Sequence, residues 1–428
     1  PTSLNQQGGD IGTQYRSAIF TTTHEQLQVA LASCLTYQEE LNKAGMDRIC
    51  TEILSAEGIE YYPAEEYHQK YLQKNPNELH RFGWVVELDP MDPNSTPVKR
   101  TALGRAAHEG AWVGVTKDGR AVVYSGEDAR FEYIYKFVSR DKIKQAGNGM
   151  TQAQANQDLL DNGVLHVARF DADGKGQWIP MVHGQGPLTS ANGFADQGEV
   201  LIKSRQASDL LGATKMDRPE WLTIDPQSGW VYCTLTNNSQ RGTAGKPGVD
   251  AANPRANNAM GQIIRWKDAN DFDGVSFEWN LLVMAGDPAN QRPEAKGNIK
   301  GDIYACPDGI TFDKQGVLWI QTDAHATQMY KGELARIGNN QMLACDTATG
   351  ETRRFLTGPT NCEVTGVAFT PDSTTMFVSI QHPGETPSDR SDPANPTQYS
   401  NWPDYAPNGR PRSSLVAIRK MDGGIIGS

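Results

Sequence analysis

Short apolar segments separated by turn residues dominate the second part of the chain. In residues 215–236, apolar residues at 221–224 are followed by Asp225 and Pro226 and then by a second apolar run at 230–235. Runs of this length bounded by Asp, Pro and Gly are typical of β-strands joined by tight turns. The segment therefore predicts a β-hairpin.

The same hairpin unit recurs along the chain, and each copy opens with a carboxylate. The four opening residues are Glu109, Glu220, Asp308 and Glu363. In two copies the second strand runs into another acid, Asp128 or Asp323. The copies are unequally spaced, which argues against a strict solenoid and suits propeller blades with insertions of different lengths. The pattern predicts a mainly β protein built of repeated sheets around one axis.

Equivalent positions in different blades face the same axis, so the repeated acids are expected to meet at one site. Converging carboxylates repel one another unless cations lie between them. Their oxygen atoms are hard donors, which suit Ca²⁺ and Fe³⁺ better than thiophilic metals. The alternative is that these acids only flank turns, as Asp often does.

Composition and charge limit the possible functions. The 428 residues are 38% hydrophobic and 21% charged, a globular composition with room for a large propeller or several domains. The net charge of −11 disfavours general nucleic-acid binding and suits a protein that carries multivalent cations. The sequence has no apolar run long enough for a membrane span and no recognisable signal peptide. Because it starts at Pro1 rather than Met, further residues are expected upstream.

Residues 1–77 have a different pattern. Leucines at helical spacing predict an amphipathic helix over 23–40, followed by a strand at 49–54 and a second helical stretch at 64–73. Composition changes at Asn-Pro-Asn, residues 75–77, beyond which the hairpin units begin. The chain is therefore expected to divide near residue 77 into a small α+β segment and a β region.

The first segment resembles the C-terminal half of peptide methionine sulfoxide reductase A. The resemblance rests on Gln-Gly-Gly-Asp-Ile-Gly-Thr-Gln-Tyr-Arg-Ser at 7–17 and on Ala-Glu-Glu-Tyr-His-Gln-Lys-Tyr-Leu at 64–72. It implies that Asp10 and Tyr15 are remnants of the site that positions the sulfoxide oxygen.

The nucleophilic cysteine of that family lies in a Gly-Cys-Phe-Trp segment, which this sequence lacks. A thiol without an activating neighbourhood is a poor nucleophile, and Cys34 and Cys50 have none of the aromatic context. We therefore expect both cysteines to be small buried hydrophobic residues. None of the six cysteines forms a Cys-x-x-Cys pair, which argues against a thiolate zinc site.

Residues 78–428 resemble the central and C-terminal part of the PhoX-type alkaline phosphatases. The motifs are Arg-Phe-Gly-Trp-Val-Val-Glu at 81–87, His-Glu-Gly-Ala at 108–111, Arg-Phe-Glu-Tyr-Ile-Tyr-Lys-Phe at 130–137, Arg-Pro-Glu-Trp at 218–221, Cys-Pro-Asp-Gly at 306–309, Thr-Asp at 322–323 and Gln-His-Pro-Gly-Glu at 381–385. The resemblance implies a six-bladed β-propeller with an iron and calcium cluster in its channel, which hydrolyses small phosphomonoesters in the periplasm or outside the cell. The family's first blades are absent from this sequence, so the propeller is expected to be incomplete.

By repeat position and by this resemblance, six carboxylates are predicted to bind the metal cluster. They are Glu109, Asp128, Glu220, Asp308, Asp323 and, on its repeat position alone, Glu363. Arg218 is predicted to contact the phosphate, because residues two apart in an extended segment share a face and Pro219 biases Arg218 toward that conformation. The alternative for Arg218 is a structural ion pair with Asp217. His108 and His382 are candidates for supporting hydrogen bonds.

Other functions are compatible with parts of the sequence. A calcium-stabilised propeller that only binds ligands would carry the same repeated acids. An inactive fusion of two truncated enzymes would explain the absent blades, since about four blades of six leave open sheet edges. A reductase-related protein without its catalytic cysteine would explain the first segment.

Two insertions are predicted to be helical. The polar stretch at 139–163 is expected to form a helical surface excursion, and residues 194–211 are expected to form a helix that ends at Gly212. Long loops rich in Asn, Gly and Pro are expected at 237–262 and 384–411, where they would frame a propeller mouth.

Overall fold

The computed structural model describes residues 6–7, 10–11, 16–45, 48–57, 77–147, 149–386, 392 and 394–428. The chain forms two compact units, one of residues 1–77 with 386–394 and one of 78–385 with 395–428. With 14% helix and 33% strand the protein is mainly β, which confirms the predicted fold class. Among the described helices, none combines the length and the apolar character needed to cross a bilayer.

In the first unit a helix connects two parallel strands. Strand β1 (Gln6–Gln7) pairs with β2 (Asp10–Ile11), and β3 (Ala18–Thr21) runs parallel to β4 (Glu52–Ser55). The connecting helix α1 (His24–Lys43) begins where the Thr23 hydroxyl accepts a hydrogen bond from the backbone N–H of Gln26 at 3.1 Å, as an N-cap residue does. The helix predicted over 23–40 is present as α1, and the strand predicted at 49–54 is present as β4.

Some predictions for this unit fall on parts of the chain that are not described. Tyr15, the side chain of Asp10 and the helical stretch predicted at 64–73 lie outside the described residues. Cys34 and Cys50 are only partly buried, so the prediction that both are buried hydrophobic residues is wrong. For Cys34 the reason is that α1 buries little of its surface, with Leu41 as its buried residue.

The second unit begins with a small ladder of β5 (Val86–Glu87) and β6 (Val98–Lys99). An antiparallel meander follows, in which each strand pairs with the one before it. Its strands are β7 (His108–Val115), β8 (Arg120–Glu127), β9 (Ile134–Lys142), β10 (Gly163–Phe170) and β11 (Lys175–Pro180). The tight turn between β7 and β8 is the one predicted from sequence.

A second meander is joined edge to edge with the first. Its strands are β12 (Pro219–Ile224), β13 (Val231–Leu235), β14 (Gln262–Asp268) and β15 (Ser276–Met284). Because β15 also pairs with β11, the two meanders form one nine-stranded sheet of order β12-β13-β14-β15-β11-β10-β9-β8-β7. The two blade-like halves thus share a continuous hydrogen-bonded ladder.

Two further sheets complete the second unit. The first contains β16 (Lys300–Gly301), β17 (Pro307–Phe312), β18 (Leu318–Thr322), β19 (Gln341–Asp346) and β20 (Glu351–Thr357), and the second contains β21 (Glu363–Phe369), β22 (Thr375–Gln381) and β23 (Ser414–Arg419). Strand β16 runs parallel to β20, and the other pairs are antiparallel. The repeated meanders give the propeller-like fold predicted from the sequence.

Helices are short in this unit. They are α2 (Gln152–Ala155), α3 (Gln197–Ile202) and α4 (Ser204–Leu211). The insertion at 139–163 was predicted to be helical, but its described residues form a single α-helical turn, α2, because the two ends of the insertion extend β9 and β10. The helix predicted at 194–211 is present as α3 followed by α4, and α4 ends at Gly212 in the left-handed conformation.

The core of the nine-stranded sheet is rich in aromatic residues and contains side chains from both of its meanders. Tyr124, Trp178 and Trp266 are buried with ring centroids 5.8 to 6.0 Å apart. Strands β13 and β18 are buried at every position. A strand covered on both faces needs an unbroken apolar run rather than alternation, which explains the patterns at 230–235 and 317–321.

Candidate functional site

Four strands of the second unit begin with the same irregularity. Strands β7, β12, β17 and β21 each carry a register shift within a few residues of their start. A carboxylate lies at the first or second position of each of these strands, namely Glu109, Glu220, Asp308 and Glu363. A β-bulge bends a strand and re-aims its side chains. The repeated hairpins seen in the sequence are therefore equivalent in structure, with their acids at matching places.

In three repeats, the residue that follows the second strand of the hairpin donates a hydrogen bond to the residue just before the first strand. The backbone N–H of Asp128 donates to the carbonyl of Ala107 at 2.9 Å, and that of Asp323 donates to the carbonyl of Cys306 at 3.0 Å. The corresponding bond in the β12–β13 hairpin runs from Thr236 to Arg218 at 3.2 Å. Asp128 and Asp323 are thus equivalent residues, held beside the opening acid of their hairpin.

The residue that precedes Pro219 adopts an unexpected conformation. Arg218 has φ of 55°, and Cys306, which precedes Pro307 in the next repeat, has φ of 52°. The prediction of an extended Arg218 is therefore wrong, since Arg218 and the equivalent residue of the next repeat both have left-handed backbone. This conformation still brings Arg218 to its neighbour, since its Nη2 lies 2.9 Å from Oε1 of Glu220.

Arg218 lies beside a group of three acids and pairs with two of them, Asp128 and Glu220. Oxygen atoms of Glu109, Asp128 and Glu220 all lie within 4.8 Å of one another. The guanidinium of Arg218 donates to both carboxylate oxygens of Asp128, from Nε at 2.8 Å and from Nη2 at 3.0 Å. Although burial disfavours its charge, the hydrogen bond to Asp128 and the charge of Glu220 raise the pKa of Arg218. The arginine is a permanent cation within the group.

Arg218 does not make the ion pair considered as its alternative. Asp217 instead accepts a hydrogen bond from Nε of Arg241 at 2.5 Å and one from the amide of Asn258 at 3.0 Å. Both members of the Asp217–Arg241 pair are fully buried. Asp217 therefore makes its contacts with Arg241 and Asn258 rather than with Arg218, and these contacts hold the segment in place.

Burial and mutual repulsion raise the pKa values of the half-buried acids. Burial, followed by the charges of Asp128 and Glu363, raises the pKa of Glu109 to about 7. Burial and the charge of Glu363 raise the pKa of Asp323 to about 6. Each of these carboxylates thus has a smaller tendency to ionise than an exposed one.

The two deepest acids show the same effect. Glu220 is 2% exposed and Asp308 is 6% exposed. Burial raises the pKa of each, the charge of Asp308 raises that of Glu220 further, and Glu363 and Asp323 act in the same way on Asp308. The structure therefore brings all six carboxylates named from the sequence near enough to repel one another.

We expect the cation-free protein to lose stability as pH rises. The folded-state pKa values of Glu109 and Asp323 exceed their ordinary values of 4.5 and 3.8, so their contribution is present at about pH 4 and is lost as pH rises through about 7. With a chelator present, the thermal midpoint of the wild type should fall by about 3 °C more between roughly pH 5 and pH 8 than that of a Glu109→Gln, Asp323→Asn double variant. Equal slopes for the two proteins would contradict the repulsion. Exposed Glu351→Gln serves as the control.

The two histidines named from the sequence have different roles. His108 is held by the Ser125 hydroxyl at 2.6 Å and by the carbonyl of Gly104 at 2.9 Å, so it supports β7. Nε2 of His382 lies 3.3 Å from a carboxylate oxygen of Glu363. His382 therefore contacts the acid group directly.

Two residues near the site were missed by the sequence reasoning. Gln321, fully buried at the end of β18, has no hydrogen-bond partner for either amide atom among the described residues. The hydrogen bond to Glu363 and, to a smaller extent, the charge of Glu385 raise the pKa of His382. The Gln-His-Pro-Gly-Glu motif contains Glu385 and could have indicated it, whereas nothing in the sequence marks Gln321.

The donor set suits a hard cation. Oε1 of Glu220 is buried and has no hydrogen-bond donor among the described residues, since the approach of Arg218 lacks hydrogen-bond geometry. A buried carboxylate oxygen without a donor is costly unless a cation neutralises it. Six carboxylates around one guanidinium leave an excess of negative charge, and carboxylate oxygens are the ligands that Ca²⁺ and Fe³⁺ prefer.

Comparison with known proteins places the chain in a family. Residues 32–384 match the model of the family described as alkaline phosphatase PhoX. The chain belongs to the PhoX alkaline phosphatase family. The match contains Arg218 and the six carboxylates, and it starts ahead of the boundary predicted near residue 77. That boundary stays a prediction.

A solved PhoX structure is similar to most of this chain. It is Pseudomonas fluorescens PhoX in complex with vanadate, a transition state analogue. Its sequence is 51% identical, the match covers 83% of this chain, and the TM-score is 0.75. The match covers 60% of that PhoX chain, so the present chain spans well under two thirds of its relative.

The resemblance of the first segment is also confirmed. Peptide methionine sulfoxide reductase MsrA 1 of Synechocystis sp. is 54% identical over 77 residues, which are 18% of this chain and 34% of the relative. The MsrA of Ectopseudomonas mendocina is 58% identical over 93 residues, which are 22% of this chain and 42% of the relative. The chain thus spans less than half the length of either reductase.

Proposed function

We propose that the protein hydrolyses small phosphomonoesters at the carboxylate group around Arg218. The observation that carries the proposal is the convergence of Glu109, Asp128 and Glu220 within 4.8 Å of one another, beside a half-buried arginine that pairs with two of them. Support also comes from the family and from the similar PhoX of Pseudomonas fluorescens, which was solved with vanadate, a transition state analogue.

Calcium and iron ions are the proposed cofactors. The residues that would hold them are Glu109, Asp128, Glu220, Asp308, Asp323 and Glu363, of which Glu220 offers the oxygen without a donor. When bound, such cations supply positive charge that polarises a phosphoryl group and offsets the negative charge of the acids.

Arg218 is the residue proposed to contact the substrate. Its planar guanidinium carries five N–H donors; Nε and Nη2 donate to Asp128, and the N–H groups of Nη1, for which the described residues offer no acceptor, are proposed to bind the phosphoryl group. Asp128 and Glu220 hold the guanidinium in place, so little side-chain entropy is lost when it binds a ligand. His382, which contacts Glu363, is proposed to hold that carboxylate in position.

The remaining properties follow the family as proposals. The substrate class is a small phosphomonoester, and the phosphatase region is proposed to act in the periplasm or outside the cell. The segment that resembles methionine sulfoxide reductase is proposed to be inactive as a reductase, because its Cys34 and Cys50 lie outside the sequence context of the family's nucleophile.

We expect hydrolysis of p-nitrophenyl phosphate that depends on added cations. At alkaline pH the protein with calcium and iron should release p-nitrophenol, and a chelator should lower the rate at least about a hundredfold, because the phosphoryl group loses its main source of positive charge. Restoring calcium and iron should restore the rate, whereas magnesium alone serves as the control. Turnover that persists through chelation would contradict a cation-dependent site, and no turnover with any cation would favour a binding propeller or an inactive fusion.

A further inference from the structure

A basic cavity of about 430 Å³ lies in the second unit, apart from the carboxylate group. Its wall includes His80, Phe82, Arg105, Ala107, Lys203 and Arg205. Four of these side chains are basic, and none of the described residues that line the cavity is acidic. In a chain of net charge −11, this local excess of positive charge is unusual and favours an anionic ligand.

The basic side chains that line the cavity differ in whether a carboxylate neutralises their charge. Arg205 forms an ion pair with the buried Glu127, and Nζ of Lys203 lies 3.2 Å from a carboxylate oxygen of Glu199. Among the described residues, the acceptors of Arg105 are backbone carbonyls, that of Phe82 for Nε at 3.0 Å and that of Leu79 for Nη2 at 2.9 Å. None of the ion pairs among the described residues includes Arg105, so its charge is fixed in place and uncompensated.

The cavity adjoins the carboxylate group through the backbone of Ala107. This residue lines the cavity, and its N–H donates to Glu127 at 3.3 Å while its carbonyl accepts from the N–H of Asp128 at 2.9 Å. Asp128 in turn holds Arg218. Two residues farther along the chain, Glu109 enters the carboxylate group, so one short segment forms a wall of the cavity and a side of the site.

We infer that the cavity binds a second anionic group of the substrate, carried on the alcohol part of the phosphomonoester. This inference rests on the proposed function, because it assigns a specificity to that same site. Arg105 supplies the uncompensated positive charge. The ring of Phe82, 65% exposed, offers an apolar surface for the carbon atoms that separate the two anionic groups.

The first test compares two substrates that differ by one charge. The ratio of kcat/KM for 3-phosphoglycerate to kcat/KM for glycerol 3-phosphate should fall about tenfold in Arg105→Gln, the scale of one charge-assisted hydrogen bond. Arg105→Lys keeps the charge and should retain most of the preference. Arg353→Gln, at an exposed position on β20, is the matched control and should leave the ratio unchanged. If Arg105→Gln leaves the ratio unchanged as well, the inference is wrong.

The second test does not depend on turnover. In the chelated protein, titration with pyrophosphate should shift the imidazole proton signals of His80 saturably, and the shift should be absent in Arg105→Gln and present in Arg353→Gln. A shift that survives Arg105→Gln, or no saturable shift up to about 10 mM, the affinity range of a single weak charge contact, would overturn the assignment. If no substrate is hydrolysed but this titration succeeds, the proposed function fails while the anion site stands.

Discussion

Replacing Glu220 by Gln is expected to abolish cation binding and, with it, phosphatase activity. Replacing Arg218 by Lys is expected to lower activity while cation binding is kept. Glu220 offers a buried carboxylate oxygen that accepts no hydrogen bond from the described residues, so we expect its negative charge to be needed for cation binding. Arg218 contributes a planar fork, which a lysine cannot reproduce although it keeps the charge. The two changes thus separate cation binding from phosphate contact.

The expected effects are large and measurable side by side. Glu220→Gln should lower the cation content found by metal analysis and reduce kcat/KM by at least about a hundredfold, while Arg218→Lys should keep its cations and lose about ten- to a hundredfold in kcat/KM. Glu278→Gln and Arg353→Lys are controls at exposed positions. Cation loss in Arg218→Lys equal to that in Glu220→Gln would assign the arginine to the structure of the group rather than to the substrate.

The repeated hairpins and their acids could be predicted from the sequence because both depend on local signals. Each acid lies within two residues of a strand end, and the strand, its turn and the next strand are contiguous. A repeat in sequence therefore becomes a repeat in space once the sheets share an axis. This is why Glu109, Glu220 and Asp308 could be expected to converge although they are far apart along the chain.

The conformation of Arg218 could not be predicted in the same way. A proline disfavours helical backbone in the preceding residue and makes extended backbone the default expectation. The observed φ of 55° occurs together with a hydrogen bond from the N–H of Thr236 to the carbonyl of Arg218. The local preference is thus overridden in the folded chain, where Cys306 at the same position of the next repeat is also left-handed.

The ion-pair partner of Asp217 could not be predicted from the sequence either. Arg241 and Asn258 reach it from the long loop at 237–262, which reads as a solvated connector because it is rich in Asn, Gly and Pro. Arg241 is instead fully buried and also donates to the carbonyls of Lys215 and Gly248. The loop is therefore a structural support of the site.

We expect the buried Asp217–Arg241 pair to be essential for the stability of the second unit. Asp217→Ala leaves the buried guanidinium with only the longer, part-exposed contact to Asp250 at 3.5 Å, and Arg241→Met leaves a buried carboxylate, so each should lower the free energy of unfolding by about 3 to 5 kcal/mol. The double variant removes both charges and should cost less than the sum of the single changes.

All nine tryptophans lie in the second unit, so the fluorescence of urea-unfolded samples reports on that unit alone. Asp404→Ala is the matched control, because Asp404 pairs with Arg412 at 2.9 Å on the surface and its loss should leave the unfolding midpoint unchanged. Additive single effects would show that Asp217 and Arg241 act independently. Since Asp217 precedes Arg218, a coupled loss would also mean that the position of the proposed substrate contact depends on a loop twenty or more residues away.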